Sequence, residues 1–440
     1  MNTNRYSRRN FLAAVALTTV ASPMVLPSSV FGDDEKVAPS ERVTIAHFGV
    51  GGLGGRAFAA TQQIKEAQSV AVTDCFKSRR ESYANACKGK ASLDFREVLT
   101  RDDVDAVLII TPDHWHVPMA IAAGRAKKHT HIAKPLGLSI EQNLACQKLF
   151  QNSGLVFQYG TQQRNMPHCW QGCELVRRGV IGEIKAIEVD APNGGKGGYT
   201  KESPIPPDLG QDGFEMWTGP SPIRPYTQDR CKPQGTYWIY DYSIGYLAGW
   251  GAHPLDIMVW GSDADISGTI VVEGTGVVPE EGLYDTVYNW NMKIKLGETD
   301  FNFRYNKEDR TRFIGEKGWI EIRRTKPLTA SDPNLLTTPL DKDKTILRRT
   351  NFTDNFYQSI DFVRSLKNGI EDFVLSIKNK QEPVSTLRDA IRSDNISHLC
   401  DIAVRTKSTV KWDPNKLQLI DPTPEQQKLL TRPIRAPWTL

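Results

Sequence analysis

Three groups of residues near the front of the chain could do chemistry together. They are Gly49-Val50-Gly51-Gly52-Leu53-Gly54, the carboxylate of Asp74, and Thr111-Pro112-Asp113-His114-Trp115-His116 followed by Lys134-Pro135. In the G-x-G-x-x-G spacing Gly49 allows a tight turn, Gly51 lets the backbone approach a pyrophosphate, and Gly54 lets a helix pack closely on a strand. Gly52 and Leu53 complete the cofactor-binding loop, and the N-terminus of the helix that follows offers unpaired N–H groups to an anion. Asp74 comes twenty residues after Gly54, where an acid can accept hydrogen bonds from a ribose diol. The chemistry this implies is dinucleotide binding.

These groups act together only if regular elements place them. Val43 to Phe48 reads as a short apolar strand, Arg56 to Ala67 has helix-forming composition, and Val70 to Thr73 is a second apolar run closed by Asp74. A charged helix follows over Lys77 to Cys87, then a strand over Ala106 to Thr111, a helix over Val117 to Ala126, a strand over Thr130 to Ile132, a helix over Ile140 to Asn152, and a strand over Val156 to Tyr159. Such alternation predicts an α/β domain with a doubly wound parallel sheet, whose ligands bind beyond the C-terminal strand ends. Thr111, His116 and Lys134 all fall at or just after such ends. Asp74 repels a ribose 2′-phosphate and favours NAD, while Lys77, Arg79 and Arg80 lie close enough in sequence to accommodate the phosphate of NADP. Arg79 suits stacking on adenine or exposure to solvent.

The middle of the chain changes period. Tyr288, Trp290, Met292, Ile294 and Leu296 alternate with polar residues, and Phe301, Phe303 and Tyr305 repeat the pattern after a Gly297-Glu298 turn. With strands at Thr269 to Val272 and around Trp319, Ile320 and Ile322, this predicts a second domain on a largely antiparallel sheet. Residues 191–250 carry few regular signals and are long enough for a functional loop region. Helices are expected at Phe356 to Leu366, Ile370 to Lys378 and Arg388 to Val404, and an irregular arm from Trp412 onward, on the surface or on a neighbouring subunit.

The 440 residues, 39% hydrophobic and 24% charged, allow two domains and a large core. Of the formal +4 charge, Arg5, Arg8 and Arg9 contribute three, so the rest is nearly neutral and a nucleic-acid role has no electrostatic support. Ser7-Arg8-Arg9-Asn10-Phe11-Leu12, followed by a mildly apolar run, resembles a twin-arginine export signal. The expectation is a cleaved signal over residues 1–32, a linker over 33–41, a dinucleotide-binding domain over 42–160, a substrate and oligomerisation domain over 161–410, and an arm over 411–440. That route exports folded proteins with cofactor bound, and a periplasmic enzyme with no outside nucleotide pool must regenerate its cofactor in place. The seven cysteines form no C-x-x-C pair; they read as mostly buried thiols, and no metal is expected.

Further motifs carry a family resemblance. Thr111 through Ala120, Lys134-Pro135 and Gly251-Ala252-His253-Pro254-Leu255-Asp256 resemble the glucose-fructose oxidoreductase, inositol dehydrogenase and rhizopine catabolism (Gfo/Idh/MocA) family. Gln158 through Arg164, Trp217 through Tyr226 and Arg435-Ala436-Pro437-Trp438 look like its exported branch. The resemblance implies an N-terminal Rossmann domain, a C-terminal α+β domain with an open-faced sheet, and redox chemistry on a sugar or polyol. It implies that Lys134 stabilises a developing alkoxide, that His253 exchanges the hydroxyl proton, and that Thr111 and His116 line the nicotinamide end. Ala133 stands where the family has glutamate, and Gly249 where many relatives have aspartate. Asp256 is a candidate for the missing charge. Among the aromatic residues before His253, Tyr237 and Tyr246, together with Arg164, are candidate substrate contacts, although the rings suit a sheet core equally. A glycosidase acting by oxidation, elimination and reduction on bound NAD, and a catalytically impaired sugar-binding relative, remain alternatives. Family members known as such glycosidases carry a different histidine motif. The open-faced sheet points to a homodimer or homotetramer.

Overall fold

The computed structural model describes residues 37–232, 235–262, 268–341, 344–350 and 362–440. The export-signal segment lies outside the described residues. Residues 37–42 contain a single 3-10 turn, Pro39–Glu41.

From Val43 onward the chain builds two sheets. In the first part β1 (Val43–Phe48), α1 (Gly52–Thr61), β2 (Ala67–Thr73), α2 (Lys77–Cys87), β3 (Lys90–Ser92), α3 (Phe95–Leu99), β4 (Ala106–Ile109), α4 (His116–Arg125), β5 (His129–Ala133), α5 (Ile140–Phe150) and β6 (Phe157–Gly160) alternate. The strands form a six-stranded sheet in the order β3-β2-β1-β4-β5-β6, every pairing parallel. All four residues of β4 are buried, as a central strand covered on both faces requires. The order reverses beside β1, so the ends of β1 and β4 open a crevice at the glycine loop. Helix α1 starts at Gly52, before the expected Arg56, because the last glycines of the loop already form its first turn.

The second part runs α6 (Pro167–Arg177), β7 (Ile184–Ala191), α7 (Gly210–Thr218), α8 (Tyr246–Gly249), α9 (Ala252–Ser262), β8 (Ile270–Val277), β9 (Asn289–Leu296), β10 (Thr299–Tyr305), β11 (Arg310–Gly315), β12 (Gly318–Arg323), β13 (Lys326–Ala330), α10 (Phe362–Asn379), α11 (Leu387–Thr406), β14 (Val410–Asp413), β15 (Gln418–Leu419) and α12 (Pro424–Leu429). Its sheet has the order β13-β12-β11-β7-β10-β9-β8-β14-β15 and is antiparallel except where β7 meets β10. Along β9 Trp290, Met292, Ile294 and Leu296 are buried, and Asn291, Lys293 and Lys295 are exposed. The buried face packs under α6, α9 and α11. Among residues on the outer face, Arg310 pairs with Glu188, Asp190 and Glu321, and Arg312 with Glu321.

Three expectations change here. The helices expected at Phe356 to Leu366 and Ile370 to Lys378 are one helix from Phe362 to Asn379; residues 356–361 lie outside the described residues. Gly369 does not break it, because a Cβ there would lie 2.6 Å from the Asn165 amide, so the glycine serves close packing. Through Leu366, Ile370, Phe373 and Val374 this helix covers β1 and α1 of the first sheet. The arm expected from Trp412 begins instead with paired strands and α12; Trp412 is buried opposite Ile270. The remainder lies on the same chain: Arg435 donates to Gly219 O at 3.0 Å and pairs with Glu215, and Trp438 stands edge-on to Trp115 at 4.8 Å.

Candidate active site

The crevice is a pocket lined by the glycine loop, Asp74, Phe76, Arg79, Phe95, Thr111, Asp113, Trp115, Ala133, Lys134, Trp217 and Tyr237, among others. Gly49 has φ +81°, and a Cβ there would lie 2.6 Å from Ile110 O. At Gly54 a Cβ would lie 2.1 Å from Gly49 O, so strand and helix meet only because both positions are glycine. Gly52, by contrast, has nothing within 4 Å of its missing Cβ, and Gly51 only Arg79 Nη1 at 3.5 Å. That open space over the N-terminus of α1 is what a pyrophosphate needs. Asp74 accepts from Val50 N–H and Phe76 N–H, both at 2.9 Å, so the loop itself orients the carboxylate. Burial raises its pKa against the pull of those two N–H groups and of Arg79 and Arg80. Arg79 stacks over Phe76 at 4.1 Å. The Thr111 hydroxyl lines the pocket and is buried without a hydrogen-bond partner among the described residues, an orphan that a bound group can satisfy. The residues present therefore fit a nicotinamide dinucleotide. Gly49→Ala is expected to add about 1–2 kcal/mol of left-handed backbone strain besides the contact with Ile110 O. Nucleotide recovered by acid extraction should fall severalfold, with Tm lowered.

Lys134 follows β5 at the other end of this pocket. Its Nζ donates to Gly249 O at 2.6 Å and lies 5.3 Å from the Tyr237 ring centre. Burial lowers its pKa to about 8, opposed by Asp113 and assisted by Arg324. His253, near the start of α9, is buried and carries an Nδ1 without a partner. Burial, with Arg324 and Lys134 adding to it, holds the imidazole well below its usual pKa, so it is neutral at pH 7. Lys134 follows β5 of the first sheet, His253 lies on α9 over the second, and the Lys134 charge acts on His253.

Two residues there lay outside the sequence-level candidates. Asp113 is 3% exposed, accepts from Ser243 Oγ at 2.7 Å, and interacts with both His116 and Lys134. Burial raises its pKa, opposed by His116, Lys134 and the Ser243 hydroxyl, and it lines the same pocket as Ala133 and Lys134. Its place inside the Thr111 to His116 motif was the available signal. Arg324, in the β12–β13 turn, had none, because it sits in an ordinary run of basic residues.

Three candidates are corrected. Arg164 is 1% exposed and bidentate to Asp256, with both bonds at 2.7 Å; it also donates to Asp389 at 2.9 Å and Val384 O at 3.0 Å. With their polar atoms taken up by one another and by Thr161, Asp389 and Val384 O, Arg164 and Asp256 are a structural ion pair and not substrate contacts, and Asp256 cannot stand in for the absent acids. His116 is fully buried between Pro135 O at 2.6 Å and Thr111 O at 3.0 Å, so it fastens two loops and does not line the pocket. Tyr237 and Tyr246 are half-buried, with ring centres 6.1 Å apart, beside Lys134. At Gly249 a Cβ would meet only Tyr246 at 3.6 Å and Tyr237 at 3.9 Å, so that glycine leaves room beside both rings. Cys169 and Cys173 are buried on α6, and the neighbouring His168 ring turns to Arg323 O at 2.9 Å.

Residues 43–161 match the Gfo/Idh/MocA oxidoreductase family's NAD-binding Rossmann fold, and residues 349–440 match its C-terminal alpha/beta domain. The chain belongs to the Gfo/Idh/MocA family. Among curated relatives, a glycosyl hydrolase family 109 protein of Shewanella sp. strain MR-4 is 28% identical over 205 residues, 40% of this chain and 44% of the relative. An uncharacterized oxidoreductase, YrbE, of Bacillus subtilis is 25% identical over 171 residues, 39% of this chain and 47% of the relative. The chain thus spans less than half the length of these relatives. Among solved structures, levoglucosan dehydrogenase with NADH and L-sorbose superposes with a TM-score of 0.63 at 15% identity, covering 84% of this chain and 99% of that one. A myo-inositol dehydrogenase described as putative, from Sinorhizobium meliloti, gives a TM-score of 0.57 at 17% identity, covering 83% and 98%. At these identities the likeness is one of fold. Within the Gfo/Idh/MocA family, residues 43–161 form the NAD-binding Rossmann fold.

Proposed function

We propose that the protein moves hydride between a tightly held NAD and a CH–OH or ketone carbon of a sugar or polyol, outside the cytoplasm, after twin-arginine export. The observation that carries this reading is Lys134, which stands at the nicotinamide end of the glycine-loop pocket, beside Tyr237, with its amine pKa near 8. Bound nicotinamide supplies the hydride acceptor or donor. Asp74 at the end of β2 favours NAD over NADP. The half-buried tyrosine faces suit the C–H faces of a pyranose, and the dehydrogenases of similar fold are named for sugar and inositol substrates.

The electrostatics reverse the proton roles expected from the resemblance. A proton taken by His253 would put an imidazolium beside Lys134 and Arg324, whereas the Lys134 amine lies near the working pH and can take the hydroxyl proton directly. His253 then orients the hydroxyl as a neutral imidazole. Below about pH 8 Lys134 is mostly ammonium and above it mostly free amine. In the oxidation direction kcat/KM should therefore rise through an apparent pKa near 8, and reduction should fall through the same value. A pH-rate profile in both directions checks this.

The family 109 relatives favour a second reading, in which NAD is oxidised and re-reduced within one glycosidase turnover. A sugar panel with the purified exported protein separates the readings. Lasting change in reduced-nicotinamide absorbance supports the dehydrogenase. Aryl aglycone release without net redox change supports the glycosidase, and extracted nucleotide with neither signal supports a sugar-binding relative. We place a homodimer or homotetramer contact on the outer face of the large sheet, where the paired arginines and carboxylates lie.

A further inference from the structure

Arg324 is an exception among its neighbours. Arg310, Arg312 and Arg323 each pair with Glu321, and Arg323 also pairs with Glu308. Arg324 has no carboxylate within 4.0 Å among the described residues. Among the described residues the guanidinium makes one long hydrogen bond, 3.5 Å to Gln162 Oε1. Asp309 acts on it from farther away, and that carboxylate is already held by Gln163 Nε2 at 3.1 Å. The guanidinium lies instead between two ring faces, Trp250 at 5.5 Å and Phe362 at 5.0 Å. Exposed Arg56, after the glycine loop, reaches the same Phe362 ring at 5.8 Å and adds positive charge there.

The rings connect this cation to the reacting groups. From Lys134 the wall runs through Tyr237 and Tyr246 to Trp250, with centre-to-centre steps of 6.1 Å and 5.6 Å, and Trp250 stands edge-on to His253 at 6.0 Å. Tyr237, Tyr246, Trp250, Arg324 and Phe362 are all partly exposed, and Tyr237 also lines the glycine-loop pocket. A largely desolvated guanidinium without an ion pair costs stability unless a ligand neutralises it. Its planar fork matches carboxylate and sulfate oxygens, and it stays charged at every working pH.

We propose that Arg324 is an anion subsite and that the substrate is an acidic saccharide. Its sugar ring lies on the Tyr237–Tyr246–Trp250 wall, with a carboxylate or sulfate group on Arg324 and the reacting carbon at Lys134 and His253. The proposal rests on the sugar-redox reading above and narrows it.

The test uses the full exported protein with its own nucleotide, and D-glucuronate, glucose 6-sulfate and D-glucose as probes, each measured by turnover and by Tm shift. Wild type should bind and turn over one or both acidic sugars with lower KM than glucose. Arg324→Gln should raise that KM roughly 10–100-fold while the glucose KM changes severalfold at most, and abolish the acidic-sugar Tm shift; loss of the charge acting on Lys134 shifts kcat for acidic and neutral sugars alike. Preference between glucuronate and the sulfate ester tells carboxylate from sulfate. If Arg324→Gln fails to fold, Arg324→Lys should keep part of the acidic-sugar preference, and added NaCl should raise the acidic-sugar KM of wild type but not the glucose KM. Equal KM for acidic and neutral sugars in wild type, or an acidic-sugar KM within twofold of wild type in Arg324→Gln, overturns the subsite. Absence of redox turnover with every sugar would defeat the dehydrogenase reading instead. An acidic-sugar Tm shift that disappears in Arg324→Gln would still support the subsite, and no such shift in wild type would overturn it.

Discussion

Lys134→Ala should lower kcat/KM by about 100- to 1,000-fold in both directions, while the nucleotide extracted per chain stays at the wild-type level. The amine joins the two halves of the site. It follows β5, reaches across to Gly249 O at 2.6 Å, and has its charge balanced between Asp113 and Arg324. Removing it takes away the proton acceptor for the hydroxyl and the charge that steadies an alkoxide, but none of the loop that holds phosphate. Lys134→Arg should not rescue, since a guanidinium does not give up its proton at working pH. The apparent pKa near 8 should vanish from the residual rate. Full activity in Lys134→Ala would remove Lys134 from the chemistry.

The second large effect is on stability. Arg164→Met or Asp256→Leu alone should destabilise the fold by about 3–5 kcal/mol, because each leaves an uncompensated charge in the interior. Both side chains are essentially without exposed surface, and Thr161 Oγ1 also donates to Asp256 at 2.7 Å. The double variant should recover much of the loss, the signature of a coupled pair in a double-mutant cycle. Denaturant melts measure this directly. Raised sugar KM at unchanged stability would return Arg164 to the substrate site.

How far the residues themselves could be read depended on how local each feature is. The helix over Lys77 to Cys87 and the strand over Val43 to Phe48 were legible to the residue, since composition and punctuation at their own ends set them. β7 and β11 were not recognised. β7 pairs with β10 more than a hundred residues later and with β11 beyond it, and carries Glu188 and Asp190 on its paired outer face. Their strand character comes from those partners more than from their own alternation. The same holds at the site. Gly49, Gly51 and Gly54 announce themselves because a backbone conformation and a close approach exclude other side chains. A charged side chain such as Arg164 looks alike in sequence whether it meets solvent, substrate or a buried carboxylate.

Sequence alone thus determined the dinucleotide loop, Asp74 and the parallel sheet that holds them, which depend on spacing within a few turns of chain, while motifs spread along the chain carried the family resemblance. Only the tertiary structure decided which charges are used up and which remain available. It buried Arg164 against Asp256, fastened His116 between two carbonyls, set Asp113 where it acts on Lys134, and left Arg324, among the described residues, without a carboxylate within 4.0 Å beside an aromatic wall. The reason is physical: the free energy of a charge is fixed by its desolvation and by partners within a few ångströms, and those partners come from segments distant in sequence.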